Sequence, residues 1–227
     1  MSLQEKLDAF KADFKGGKAP YFAPPEIHPV MERATAELVA SGQARNALKA
    51  GDIAPEFTLN DSDGELISSA ALLEKGPLVI SFYRGAWCPY CNLELQALET
   101  SLAAFKEYGA SLVAISPQNA VNSRKSIRTS NLSFPILIDT HNDLAAAFGI
   151  RFELPGYLVD LYKALKNDLP AFNGDGSWTL PMPARYVIGQ DGTILYAEVN
   201  PDYTHRPEPE DMLPVLRQHA VTAGKLD

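Results

Sequence analysis

Ser81-Phe82-Tyr83-Arg84-Gly85-Ala86-Trp87-Cys88-Pro89-Tyr90-Cys91 carries both cysteines of the chain at the junction of a strand and a helix. Upstream, Pro77 to Tyr83 is a nearly continuous apolar run, as a strand buried on both faces requires. Downstream, Pro89 suits a first helical position, where its missing N–H would have had no partner. Leu93, Leu95, Leu98, Leu102 and Phe105 then fall broadly on one side of a helix that closes at Gly109. At such a helix N-terminus the unpaired amides and the positive end of the dipole favour a thiolate over a thiol. Cys88 is expected exposed at the helix tip, with Cys91 one turn further in. Residues three apart on a helix lie about 5–6 Å from each other, which matches the Cα separation of a disulfide. The pair can therefore cycle between dithiol and disulfide, with the outer sulfur attacking and its neighbour closing the ring.

Alternation of strands and helices continues outward from this junction. Glu56 to Leu59 and Glu65 to Ile67 flank a turn-rich Asn60-Asp61-Ser62-Asp63-Gly64 and predict a hairpin. Past the helix, 111–116 reads as strand, 121–129 as helix, 134–138 as strand and 142–148 as helix. Arg185 to Ile188 and Thr193 to Ala197 flank Gln190-Asp191-Gly192, a second hairpin, and a helix over about 208–221 ends the pattern. The fold class is α/β, a central mixed sheet with helices on both faces. Between 150 and 181 lies a long connection with one predicted helix, Tyr157 to Lys166, and a glycine-rich stretch. It reads as a functional loop or an insertion, and its Trp178 and Phe172 either overhang the cysteines or fill a local core.

Residues 1–48 differ in texture. Leu3, Leu7, Phe10 and Phe14 form one apolar stripe and Ile27, Met31, Ala34 and Leu38 another, separated by a proline-rich break. A short helix with an apolar stripe must be covered, by its own domain or by a second copy in a homodimer. The organisation expected is a helical extension over 1–48 and one domain over 49–227, since 227 residues leave no room for two full cores.

Composition removes several classes of function. With 28 acidic against 20 basic side chains the net charge is −8, and no basic block could follow a phosphate backbone. Apolar runs are strand-length, far short of the roughly 20 residues that span a bilayer. The first residues lack the apolar stretch of a secretory signal, so a cytoplasmic location is expected. Two cysteines two residues apart make neither a disulfide scaffold nor a tetrahedral zinc site. His28, His141, His205 and His219 lie apart from each other and from the cysteines, so no metal and no cofactor is expected.

Trp87-Cys88-Pro89-Tyr90-Cys91 resembles the active site of thioredoxin-fold oxidoreductases, with a Pro-Tyr dipeptide like that of glutaredoxins. The stretch from Gly51-Asp52-Ile53-Ala54-Pro55-Glu56-Phe57-Thr58-Leu59 through Gly192-Thr193-Ile194 resembles the alkyl hydroperoxide reductase and thiol-specific antioxidant family, the peroxiredoxin branch of that fold. The resemblance covers about residues 51–222 and implies a thioredoxin-like domain, an antioxidant oxidoreductase activity and a thiol reductant of thioredoxin or glutathione type. Peroxiredoxins place a Thr three residues before the peroxide-attacking Cys and an Arg at the start of a later strand. Matching Cys91 to the attacking Cys puts Cys88 in the Thr position and Pro183 in the Arg position. Thioredoxin-like reductases carry a cis-Pro there, and both departures point to disulfide exchange. Matching Cys88 instead puts Gly85 in the Thr position, leaves Cys91 to resolve, and asks Arg84 or Arg185 for the activating charge.

The leading expectation is thus a thiol-disulfide oxidoreductase. A thiol-dependent peroxidase acting on hydrogen peroxide or alkyl hydroperoxides is the alternative, and a redox-sensing interaction module the third reading. Cys88 and Cys91 are the catalytic candidates. Trp87 is expected to pack beside the site, Tyr90 to face solvent or substrate, and Pro183 to shape substrate access. Arg84 is either a surface charge or a cation stabilising the thiolate. Asp202-Tyr203-Thr204-His205-Arg206-Pro207 reads as a charged surface loop without chemistry.

Overall fold

A computed structural model of the chain describes residues 1–223; positions 224–227, the end of the domain expected over 49–227, lie outside the described residues. In chain order the elements are α1 (Leu3–Lys15), α2 (Ile27–Ser41), β1 (Thr58–Asn60), β2 (Leu66–Ser68), α3 (Ser69–Leu73), β3 (Leu78–Phe82) and α4 (Pro89–Glu107). Next come β4 (Ser111–Ser116), α5 (Ala120–Ser130), β5 (Ile136–Ile138), α6 (Asp143–Ala147), β6 (Arg151–Glu153), α7 (Gly156–Ala164) and α8 (Leu169–Asn173). The chain finishes with β7 (Thr179–Pro181), β8 (Ala184–Ile188), β9 (Ile194–Val199) and α9 (Leu213–Ala223).

The central sheet has the order β5-β4-β3-β8-β9. β3 runs parallel to β4 and antiparallel to β8, so the strand leading to the cysteines lies in the middle and is buried along its whole length. Its side chains alternate between two cores. Val79 faces α4 with Leu95, Leu98, Leu102 and Phe105, while Leu78, Ile80 and Phe82 face the other side with Phe148, Ile150 and Tyr186. This is the mixed sheet covered on both faces that the alternating pattern predicts.

The first apolar stripe is covered within the chain. Leu3 and Leu7 are buried in the α4-side core and Phe10 stacks edge-on against Tyr90. Ser2 caps α1 in a capping box with Glu5, and the Glu208 carboxylate accepts from the amides of Leu3 and Gln4. One distant side chain thereby satisfies two of the orphan donors at the helix start. α2 lies against α7, where Ala34 meets Leu154, Leu158 and Leu180.

The 150–181 connection is built rather than loose. β6 pairs antiparallel with β7 and closes its base, and α7 and α8 form a small core of their own with Leu158, Tyr162, Leu169 and Leu180. Trp178 belongs to that core, with the Lys163 ammonium 5.5 Å from its ring. No helix among the described residues is long and apolar enough to cross a membrane.

Candidate active site

Beyond the end of β3 the chain must turn sharply and deliver Cys88 to the first turn of α4. The Tyr83 amide extends the ladder by donating to Ile115 at 3.0 Å, and buried Gln118 then braces the turn. Its Oε1 accepts from the Ala86 amide at 2.8 Å while its Nε2 donates to the Tyr83 hydroxyl at 2.6 Å. Gly85 is required here: at φ +145° an added Cβ would come within 2.6 Å of Trp87 Nε1. The Cys88 amide closes the turn on the Gly85 carbonyl at 3.0 Å, Cys88 is the N-cap and Pro89 opens the helix.

Both cysteines are free thiols, and both are buried, at 1% exposure for Cys88 and 0% for Cys91. The expected exposed Cys88 is corrected by the N-terminal helices. α1 and the segment leading into α2 lie over the tip of α4 and leave a cavity of about 300 Å³ with Cys88 on its wall. Its lining is rich in aromatic rings, among them Phe10, Phe14, Tyr21, Trp87, Tyr162 and Tyr203. Tyr90, expected to face solvent or substrate, is shielded from solvent between the rings of Phe10 and Tyr203, at centroid distances of 5.0 and 5.5 Å, and borders the same cavity. Trp87 packs as expected, edge-on to Tyr162.

Arg84 is no surface charge. It is 3% exposed, its guanidinium carbon lies 4.0 Å from the Tyr203 ring centroid and 4.8 Å from that of Trp87, and its Nη2 donates to the Tyr162 hydroxyl at 2.7 Å. Among the described residues no carboxylate pairs with it. The other two buried arginines share one: Arg185 Nη2 lies 2.9 Å from Glu94 Oε1, and Arg206 Nε lies 2.5 Å from Glu94 Oε2. Arg206 also reaches the sulfurs, with Nη2 3.6 Å from Cys91 Sγ. The 202–207 segment therefore supplies two site residues, Tyr203 and Arg206, where the sequence suggests only a surface loop. Arg185 faces Glu94 and the Pro207 carbonyl and is not the group nearest the sulfurs.

Three arginines against one glutamate leave a buried excess of positive charge, which a thiolate offsets. Burial alone raises the Cys88 thiol, but the hydrogen bond from Cys91 and the charges of Arg84 and Arg206 outweigh it and bring Cys88 down to about 6. Cys91 moves the opposite way, raised by burial and by its role as donor to Cys88. The environment thus favours the charged form of Cys88 and the protonated form of Cys91, the asymmetry that an attacking thiolate with a resolving partner requires. Burial also keeps Tyr83, Tyr90 and Tyr203 in their neutral form.

Pro183 stands apart from this cavity. It lines a neighbouring one of about 220 Å³ that lies between α2 and α7 and shares Arg84, Tyr162 and Tyr203 with the first. The cis peptide among the described residues is Ala19-Pro20, so the expectation of a cis-Pro at Met182-Pro183 is corrected. The Met182 amide donates to Ile150 and the Pro183 carbonyl accepts from Asn200, holding an extended run from β7 into β8. Phe172 and Trp178 do not line the cavity beside Cys88. Tyr162 and Glu94 escape a reading of the sequence. Glu94 carried one signal, a charge three residues past Cys91 on the inward side of α4.

The chain matches the AhpC/TSA family over residues 50–197. Among curated relatives it is 27% identical over 160 residues to the chloroplastic peroxiredoxin Q of Oryza sativa, covering 70% of this chain and 61% of that protein. It is 32% identical over 108 residues to the thiol-disulfide oxidoreductase ResA of Halalkalibacterium halodurans, covering 47% of this chain and 60% of the relative. The chain thus spans about three-fifths of the length of these relatives. Among solved structures it resembles peroxidoxin BcpB from Mycobacterium tuberculosis, with a TM-score of 0.60 and 24% identity, covering 75% of this chain and 97% of that one. The family match begins after the two N-terminal helices and takes in the central sheet, the braced turn and both cysteines: the chain belongs to the AhpC/TSA family.

Proposed function

We propose that the protein is a dithiol oxidoreductase of the thiol-dependent peroxidase kind, with a small peroxide as oxidant. The Cys88 thiolate attacks the peroxide, the O–O bond breaks, and the alcohol or water leaves with a proton while Cys88 becomes a sulfenic acid. Cys91 displaces hydroxide from that sulfur, water leaves, and the disulfide forms. A thiol reductant of thioredoxin or glutathione type returns the pair to the dithiol. The observation that carries this reading is the position of Cys88: 1% exposed, beside a cavity of about 300 Å³ and served by a buried arginine that pairs with no carboxylate among the described residues. Such a site admits a molecule of few atoms far more readily than a folded protein carrying a disulfide. Similarity to a peroxiredoxin Q and membership of the AhpC/TSA family support the same chemistry.

Protein disulfide exchange is the second reading, favoured by the two-residue spacing of the cysteines and by the similarity to ResA. Stopped-flow mixing of the reduced protein with hydrogen peroxide, an organic hydroperoxide and a disulfide-bonded protein separates the two. Oxidation by peroxide far faster than by the protein disulfide supports the proposal. The reverse order overturns it.

A further inference from the structure

The charges of both arginines reach both sulfurs, but they approach from different sides. Arg84 precedes Cys88 in the turn after β3, whereas Arg206 approaches Cys91 from the far side, out of the segment between β9 and α9. Arg206 is held by an unusually full set of partners. Its Nε binds Glu94, its Nη1 donates to the Tyr203 carbonyl at 2.5 Å and the His205 carbonyl at 2.7 Å, and its Nη2 is left pointing at Cys91 Sγ at 3.6 Å. Glu94 is fixed in turn by Arg185 from β8 and sits on the same helix as Cys91, three residues on. A guanidinium tied at three points, with its remaining nitrogen facing a sulfur, is oriented for that sulfur in particular.

We propose that Arg206 is the catalytic cation of the second half-reaction: it stabilises the Cys91 thiolate once Cys88 has been capped, with Glu94 as the residue that positions it. The proposal rests on the order of attack given above, Cys88 first. While Cys88 is an anion, Cys91 serves as its hydrogen-bond donor and keeps its proton. When the Cys88 sulfur is joined to oxygen or to another sulfur its charge is gone, and the charge of Arg206 then acts on Cys91 alone. Cys91 releases its proton to the buffer and attacks the Cys88 sulfur. The Cys88–Cys91 bond forms, the bond from Cys88 to its cap breaks, and the cap leaves as a thiolate or as hydroxide, which takes a proton back from the buffer to become water. Ionisable groups facing Cys91 are Cys88, Tyr83, Arg84 and Tyr162 besides Arg206. The tyrosines stay neutral, so the two arginines are the charges that act on it.

Dithiobis(nitrobenzoate) tests this without relying on peroxide as the oxidant. Its aryl thiolate is coloured, one equivalent leaving when Cys88 is capped and a second when Cys91 closes the ring. In Arg206→Met the second phase should slow about tenfold, the change in thiolate fraction for one pKa unit, and its pH midpoint should rise. Arg206→Lys, which keeps the charge, should recover most of the rate. A second phase unchanged in rate and midpoint overturns the role of Arg206. If the first phase instead arises at Cys91, the order of attack fails, and the two failures are distinct. Should Arg206→Met not fold, the ultraviolet absorbance of thiolate in Cys88→Ser provides the second measurement. With a neutral residue at 88, Cys91 must ionise at lower pH than in the unsubstituted protein, and Arg206→Lys in that background must keep the lowered midpoint. A Cys91 midpoint as high as before overturns the proposal.

Discussion

Replacing Arg84 with Met removes the cation that lies over the Trp87 and Tyr203 rings while keeping most of its aliphatic stem. With Cys88 at about 6, roughly nine-tenths of it is ionised at neutral pH. Loss of a neighbouring opposite charge moves a titration by about one to three units. A shift of about two units puts Cys88 near pH 8 and leaves about a tenth of it ionised at neutrality, equivalent to about 2.7 kcal/mol. Thiolate absorbance across a pH series reads the midpoint directly. Stability reads the same quantity through linkage. The folded Cys88 titrates below an unfolded cysteine at about 8.5, so its ionisation stabilises the folded state above that value, and the stabilisation is lost as pH falls through about 6. Denaturant titrations of the reduced protein should therefore gain about 2.5 kcal/mol between about pH 5 and pH 8, and those of Arg84→Met only a few tenths. Staying below about pH 8 keeps the raised Cys91 thiol, whose contribution has the opposite sign, out of the window. At the acid end Arg84 is a buried charge beside a neutral thiol, and there the variant should be at least as stable as the parent. An unmoved thiolate midpoint, or a stability difference between the two proteins that stays flat across the series, refutes the role given to Arg84.

Cys91→Ser should trap a mixed disulfide on Cys88, visible by intact mass, and Cys88→Ser should trap none; adducts on Cys91 in the latter would exchange the two roles. Leu7→Ala, at a fully buried position of α1, should cost about 2–5 kcal/mol by denaturant titration. It should also speed alkylation of Cys88 by loosening its cover, and unchanged alkylation would show that α1 does not gate the sulfur. Gly149→Ala brings a Cβ within 2.2 Å of the Asn46 carbonyl oxygen at φ +72°, backbone against backbone, and should cost at least about 2 kcal/mol in thermal denaturation. A wild-type melting curve would mean that the segment after α2 does not lie against Gly149.

The sheet and the turn were legible because their signals are local. An uninterrupted apolar run into Trp87-Cys88-Pro89 fixes strand, turn and helix within about a dozen residues, and β3 and α4 lie where that pattern puts them. What surrounds the sulfurs was not legible, because it arrives from afar. Tyr162 comes from the insertion, Phe10 from α1, and Tyr203 and Arg206 from a segment more than a hundred residues past Cys91. Charge density misleads in that last segment: Arg206 is buried against Glu94, and only His205 beside it is exposed. Periodicity placed apolar stripes on the N-terminal helices but could not tell which surface they cover, and so could not foresee that Cys88 and Tyr90 would be shut in. Pro183 shows the same limit, since counting along the chain reaches the right strand and cannot report its peptide geometry or which cavity it borders.

The three-residue ladder between Arg151–Glu153 and Thr179–Pro181 brings the two ends of the insertion together in a small sheet of their own. Between them α7 packs on α2 and the Phe172 carbonyl accepts from the Asn119 amide, so exchanging this appendage for a simple hairpin would uncover part of α2 and the start of α5 while leaving the five central strands paired in their own sheet. One cost of such grafting is specific: the hydroxyl of Tyr162 disappears from the guanidinium of Arg84. The scaffold therefore offers a place, outside the part that determines the fold, where the acidity of the reactive sulfur can be retuned by swapping a module.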